Sequence, residues 1–242
     1  MSAFFLCSCE IWQGPTKCSC HDTVSVAVVT GGHDFERKPF WEMFDSYDEI
    51  LYLSAEQTDH SEIFEDISKW PYDVIVLYNM TQEISEQRRE NFKKLLDKGV
   101  GLVALHHSIA SFQDWPEYRQ IIGARYYLKE TEENGVMYKP GSYQHDLDLN
   151  IKVANRQHPI TLGLKDFVIH DESYKGSSFE STNEVLLTTS HPTSDEPVCW
   201  VSNYGKSRIC YIQLGHGPGA YGNENYRRLV KQAILWAGCA KN

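Results

Sequence analysis

Short, unbroken apolar runs alternate along this chain with stretches in which apolar residues recur every three or four positions. Val24-Ser25-Val26-Ala27-Val28-Val29 is rich in β-branched residues and stops at Thr30-Gly31-Gly32. A run this short and this apolar suits a strand buried on both faces. Phe40, Trp41 and Phe44 then share one helical face. Residues 49–53 predict a second strand, and residues 61–70 a short helix with Ile63, Phe64 and Ile67 inward. Residues 72–78 predict a third strand. Ser85 is placed to cap a helix carrying Phe92, Leu95 and Leu96, and Gly99 to end it. Residues 100–105 form a fourth apolar run. Strand and helix alternating in this way predict an α/β fold, a mostly parallel sheet with helices on both faces.

The second half of the chain adds strands more than helices. Residues 124–130 and 147–153 predict strands, with Gly135, Pro140 and Gly141 marking a long loop or hairpin between them. Phe167-Val168-Ile169 predicts a short strand that ends before His170-Asp171-Glu172. Residues 185–189, 198–201 and 208–212 complete the sheet material, and Tyr204-Gly205-Lys206-Ser207 turns the last two into a hairpin with some antiparallel character. Tyr226, Leu229, Val230, Ala233, Ile234 and Ala237 form one helical stripe, which predicts a final helix laid on the sheet. No repeat or linker interrupts the pattern. The expected organisation is an irregular cysteine-rich extension over residues 1–22, followed by one domain over residues 23–242.

Charge narrows the partners. The formal net charge is −10, which disfavours nucleic acid, because phosphate backbones need basic surface. A small neutral ligand fits better. No apolar run reaches the roughly 18 residues of a membrane helix. The first residues lack the basic start of a secretory signal. A cytoplasmic location is expected, with a periplasmic or lipid-anchored one as the alternative if the start is the remnant of a leader. Cys7-x-Cys9 and Cys18-x-Cys20-His21 are spaced more tightly than a zinc knuckle. A tail without an assigned role is the plainer reading, and zinc or disulfides the alternatives.

The histidines carry the chemistry. His33-Asp34 follows the first strand, His106-His107-Ser108 the fourth, His170-Asp171-Glu172 a later short one, and His216, among glycines, the last. In an open parallel sheet, ligands bind beyond the carboxyl ends of the strands. Four separate segments are thus aimed at one cleft. Each also has a plain structural role: a tight turn, a satisfied buried imidazole, a solvated acidic turn. Imidazoles suit proton transfer near neutral pH, and a carboxylate beside them can orient a ring or act as base. Three imidazoles with a carboxylate also suit a divalent metal such as zinc, for which His33, His106, His170 and His216 are the candidates. Trp41, Trp115, Tyr174 and Tyr221 could stack on sugar rings, although aromatics more often pack a core.

Val26 to His33 with Asp34, Tyr72-Asp73-Val74-Ile75-Val76, Gly99 to His106, His158-Pro159-Ile160, His170 to Tyr174 and Gly215-His216-Gly217 together resemble the ThuA-like family, within the class I glutamine amidotransferase-like superfamily. The resemblance implies a flavodoxin-like three-layer sandwich. It also implies a role in breaking down disaccharides, glycosides or their 3-keto derivatives, by a lyase, hydrolase or isomerase reaction. True amidotransferases set a nucleophilic cysteine on a strained turn after a central strand. Here that turn is Leu105-His106-His107-Ser108, with no cysteine on it, so glutaminase chemistry is disfavoured. Ser108 lacks the G-x-S-x-G pattern of a serine elbow. The expectation is therefore catalysis by His106, His216 and Glu172. Substrate contacts are expected from His33, Asp34, His107, His170, Tyr174 and Trp115. A non-catalytic sugar-binding or sensor protein is the alternative, and a homo-oligomer stays open.

Overall fold

A computed structural model of the chain describes residues 23–57 and 61–239. The cysteine-rich start lies outside them. In chain order the elements begin with β1 (Val24–Gly31), α1 (Arg37–Asp45), β2 (Ile50–Glu56), β3 (Val74–Asn79), α2 (Glu86–Asp97) and β4 (Gly101–Leu105). Next come α3 (Glu117–Ile122), β5 (Ala124–Arg125), β6 (Thr131–Glu133), β7 (Val136–Tyr138), β8 (Ser142–Val153) and β9 (Phe167–Lys175). The remainder is β10 (Ser178–Phe179), β11 (Glu184–Thr189), β12 (Pro197–Tyr204), β13 (Ser207–Ile212), α4 (Pro218–Tyr221) and α5 (Glu224–Gly238).

Nine of these strands form one sheet in the order β2-β1-β3-β4-β13-β12-β11-β8-β9. The first five run parallel, and the last four are added antiparallel. The strand order reverses between β1 and β3. This is the arrangement of flavodoxin-like sheets, which leaves a crevice at that switch point.

Alternation along the strands fills two cores. Val26, Val28, Val74, Val76 and Tyr78 face α1 and α5. Val29, Ile75, Leu77, Leu102 and Ala104 face α2 and α3. Side chains at i and i+2 share a sheet face, so runs apolar at every position must be covered on both sides. The stripe predicted for the last helix is its buried face: Tyr226, Leu229, Val230, Ala233, Ile234 and Ala237. Ser85 accepts the Arg88 N–H at 3.4 Å as the cap of α2. Among the described residues no helix is long and apolar enough to cross a membrane.

Four elements differ from the expectation. Residues 61–70 form only a three-residue 3₁₀ turn at Glu62–Phe64. Ser61 is left-handed (φ 68°), and Asp66 Oδ1 accepts the Ser68 N–H at 2.8 Å, a local side-chain turn that competes with helix. Phe64 and Ile67 are buried all the same. Of residues 124–130, only Ala124–Arg125 is strand. The short strand at residue 167 runs through to Lys175, and its partner begins at Ser142 rather than 147. His170, Asp171 and Glu172 therefore lie within an antiparallel strand and not on a loop beyond one.

Candidate functional site

Each parallel strand delivers its last residues to the same edge. β4 ends at Leu105, and His106 turns the chain with φ 49°, a conformation that is uncommon outside glycine. Its ring is fully buried. Nδ1 lies 2.7 Å from the Gln213 carbonyl, and the Tyr211 hydroxyl donates to the His106 carbonyl at 2.8 Å. A carbonyl only accepts, so Nδ1 carries the proton and Nε2 is the free nitrogen. β13 ends at Ile212, and Gly215 (φ 123°) swings the chain towards His216. A Cβ at Gly215 would sit 2.2 Å from the Tyr226 hydroxyl oxygen, so only glycine fits the turn.

β9 locks this loop in place. The buried Asp171 carboxylate accepts N–H groups from Gly215 at 2.8 Å, His216 at 2.8 Å and Glu172 at 2.9 Å. Glu172 then reaches both imidazoles. Its Oε2 is 3.0 Å from His106 Nε2 and 3.0 Å from His216 Nδ1, and those two nitrogens are 3.3 Å apart. The Tyr174 hydroxyl donates to His106 Nε2 at 2.9 Å. The ligating atoms of His106, Glu172 and His216 all lie within 4.8 Å of one another.

The electrostatics follow from this packing. Burial acts to raise the Glu172 carboxyl, but when His106 and His216 are protonated their hydrogen bonds and charge outweigh it and hold the group well below the usual carboxylate range. The hydrogen bond to Glu172 raises His216 above the ordinary imidazole value, against burial. Burial pulls His107 well below its ordinary value, helped by the neighbouring His106 and His33. That ring is therefore neutral, and the Tyr78 backbone is its one weak hydrogen-bonding neighbour.

Beside the cluster lies a cavity of about 220 Å³, lined by His33, Met80, His107, Ala110, Tyr126, Leu128, Tyr143, His145, Glu172 and Tyr174. His33 stacks on His107 with ring centroids 4.5 Å apart. His145 was not among the sequence candidates. It enters through a β-bulge: Gln144 pairs with Ser173 and Leu147 with Asp171, so His145 and Asp146 together face Glu172. Its ring lies 4.6 Å from that of His216, and its Nδ1 is 3.5 Å from Glu172 Oε1. Only the left-handed tolerance of Asp146 (φ 57°) hints at the bulge in the sequence.

The fold brings His106, Glu172, His216 and Tyr174 together and sets His33 and His107 on the adjoining wall. It does not bring the other candidates there. His170 is cross-strand to Asp148 and bonds to that carboxylate at 2.9 Å, with its side chain 56% exposed. Asp34 is exposed on the turn after β1. Trp115 is core, packed on Phe92, Phe112 and Tyr118. Trp41 stacks on Tyr52, and the buried Tyr221 bonds to Tyr78. Ser108 is buried and does not line the cavity. Cys199 and Cys210 are buried in β12 and β13.

Comparison with known proteins places this geometry. The sequence model of a family described as ThuA, trehalose utilisation, matches residues 25–237. No curated protein matches the chain. Among solved structures, a thua-like protein from Parabacteroides merdae is similar with a TM-score of 0.74 at 19% identity, over 89% of this chain and 90% of that one. A thua-like protein from Bacteroides uniformis gives a TM-score of 0.62 at 22% identity, over 88% and 91%. A cytoplasmic protein from Salmonella typhimurium gives 0.62 at 10% identity, over 89% and 100%. At these identities the likeness is one of fold.

Proposed function

The chain belongs to the ThuA family, described by trehalose utilisation, and from that premise we propose that it is a carbohydrate-processing enzyme. Its substrate would be a disaccharide, a glycoside or a 3-keto derivative of one, held in the cavity beside His106, Glu172 and His216. The observation that carries this reading is the convergence of two imidazoles, a carboxylate and a phenol beside a cavity that the carboxylate and the phenol line.

A ring carbonyl acidifies the neighbouring C–H. Its proton can then pass to a modest base, provided the charge left on the carbonyl oxygen is met by fixed donors. A protonated His216, held by Glu172, and the Tyr174 hydroxyl turned from His106 Nε2 would be those donors. His145, half-exposed on the same wall, takes the proton, and Glu172 orients its ring. If the glycosidic oxygen stands one carbon further along, its C–O bond breaks as the new C=C bond forms, and the proton that His145 took passes to the leaving oxygen. His107, neutral and on the cavity wall, would meet sugar hydroxyls. Glutaminase chemistry is not part of this reading, since an imidazole occupies the elbow that would need a thiolate.

Incubation with 3-keto-trehalose and 3-keto-glucosides in D₂O tests it. Conversion is expected, with deuterium entering the carbon beside the ketone. His106→Ala, or His145→Gln, should lower the rate roughly 10²–10⁴-fold at unchanged circular dichroism. Tight binding of these sugars with neither exchange nor conversion would make the protein a sugar-binding module instead. Absence of binding would remove the carbohydrate reading.

A further inference from the structure

We propose that His106 Nε2, His216 Nδ1 and Glu172 are the ligands of a divalent transition-metal cation, zinc fitting best, with its open coordination position towards the cavity. This deepens the carbohydrate reading, which would gain a Lewis acid for the sugar carbonyl, but the ligand set is argued from its own geometry. Zinc bonds to imidazole nitrogen and carboxylate oxygen are about 2.0–2.1 Å long, which at tetrahedral angles puts ligand atoms roughly 3.3 Å apart. The three separations here are 3.3, 3.0 and 3.0 Å. A cation enters with shifts of a few tenths of an ångström.

The tautomer points the same way. His106 gives its Nδ1 proton to the Gln213 carbonyl at 2.7 Å, the support that a metal-bound imidazole has as a rule. With His106 neutral, its Nε2 takes the Tyr174 hydroxyl at 2.9 Å and also lies 3.0 Å from a carboxylate oxygen. Two electron-rich atoms at that distance call for a proton or a cation where they meet. No lysine or arginine among the cavity-lining residues supplies it. The frame is also rigid, because Asp171 fixes the backbone of His216 through two N–H groups. Two histidines and one glutamate with a position left open are the ligand set of a catalytic rather than a structural zinc site. The set differs from the four histidines suggested by the sequence, since His170 bonds to Asp148 on the exposed side of β9.

The test is a titration of zinc and cobalt(II) into chelator-treated, full-length protein. It is read by calorimetry and by the visible absorption of tetrahedral cobalt. Cys7, Cys9, Cys18 and Cys20 could also take zinc, so all four are replaced by serine. One equivalent is expected, with affinity falling at least 100-fold in His106→Ala, His216→Ala and the near-isosteric Glu172→Gln. His170→Ala should bind like its parent. Circular dichroism separates loss of ligand from loss of fold, and Glu172→Gln keeps the test open if a histidine variant fails to fold. No binding by the four-serine protein, or binding indifferent to His106, His216 and Glu172, overturns the site. Turnover of 3-keto-glycosides that persists in excess chelator would reject the metal and keep the carbohydrate reading. Stoichiometric metal without sugar binding would do the reverse.

Discussion

Asp171 accepts three backbone N–H groups and does not line the cavity beside the cluster. Its role is to fasten β9 to the turn that presents His216. In Asp171→Asn one of the two oxygens becomes an NH₂ group facing N–H donors, so at least one buried donor loses its partner. Leaving such a group unsatisfied costs about 1–3 kcal/mol. Urea denaturation is expected to show a loss of that size, with reduced activity because His216 is no longer held; an unchanged midpoint would mean that the carboxylate is dispensable. At this scale the sequence was informative where a strand end fixed a residue's position. His106 and His216 follow parallel strands, and apolar runs announce those ends. His145 gave no such signal, because its orientation comes from a bulge in a polar stretch. His170 and Glu172, two residues apart, were both expected at the cleft. The cross-strand Asp148 takes one ring outward, and only coordinates could reveal that.

The ribbon of β8 and β9 is the element that local pattern described least well. Residues 142–146 are exposed and read as loop or hairpin, yet Ser142, Tyr143 and Gln144 pair with β9 on the far side of a bulge at His145 and Asp146. The bulge depends on Asp146 at φ 57°, where a β-branched residue is strained by roughly 1–2 kcal/mol. Asp146→Val should therefore destabilise by about that much and move His145 off Glu172, whereas Asp146→Gly should be nearly neutral; equal stability of the two variants would refute the dependence. A second element makes a pH prediction. His158 caps the 3₁₀ turn Pro159–Thr161 by accepting the Ile160 N–H at 3.2 Å. Burial lowers its imidazole, with Arg208 assisting and Glu184 opposing. A histidine with a depressed folded pKa binds fewer protons folded than unfolded. Its contribution is complete above the unfolded value of about 6.5 and is lost as pH falls through the folded one. Stability measured from pH 8 down to pH 5 should fall less steeply in His158→Asn, which keeps an acceptor that does not titrate. Parallel curves would exclude the assignment.

Across the whole molecule the site is a seam between two halves of one sheet. His106 and His216 stand on the parallel half, whose strands β3 and β4 are hydrogen-bonded on both edges and covered by helices on both faces. Glu172, Tyr174 and His145 stand on the antiparallel half, and β9 is the last strand of the sheet, paired on one edge only. The parallel half was legible because doubly buried strands must be apolar at every position. The antiparallel half was less so, since a strand with one wet face and one wet edge carries the composition of a loop. The same asymmetry sets the order of opening. Amides of Ile75, Leu77, Val103 and Leu105 should exchange at the global unfolding free energy, and those of Phe167–Lys175 at a lower one, because an edge strand can detach locally. A ligand that bridges the seam binds only while β9 is docked. At a hundredfold excess over its Kd it should raise β9 protection by about 2.7 kcal/mol, with a much smaller gain in His216→Ala. Hydrogen exchange with and without zinc, and then with a 3-keto-glucoside, measures this strand by strand. If β9 already exchanges as slowly as β3 in the free protein, or gains nothing from a saturating ligand, the two halves do not meet at a common site.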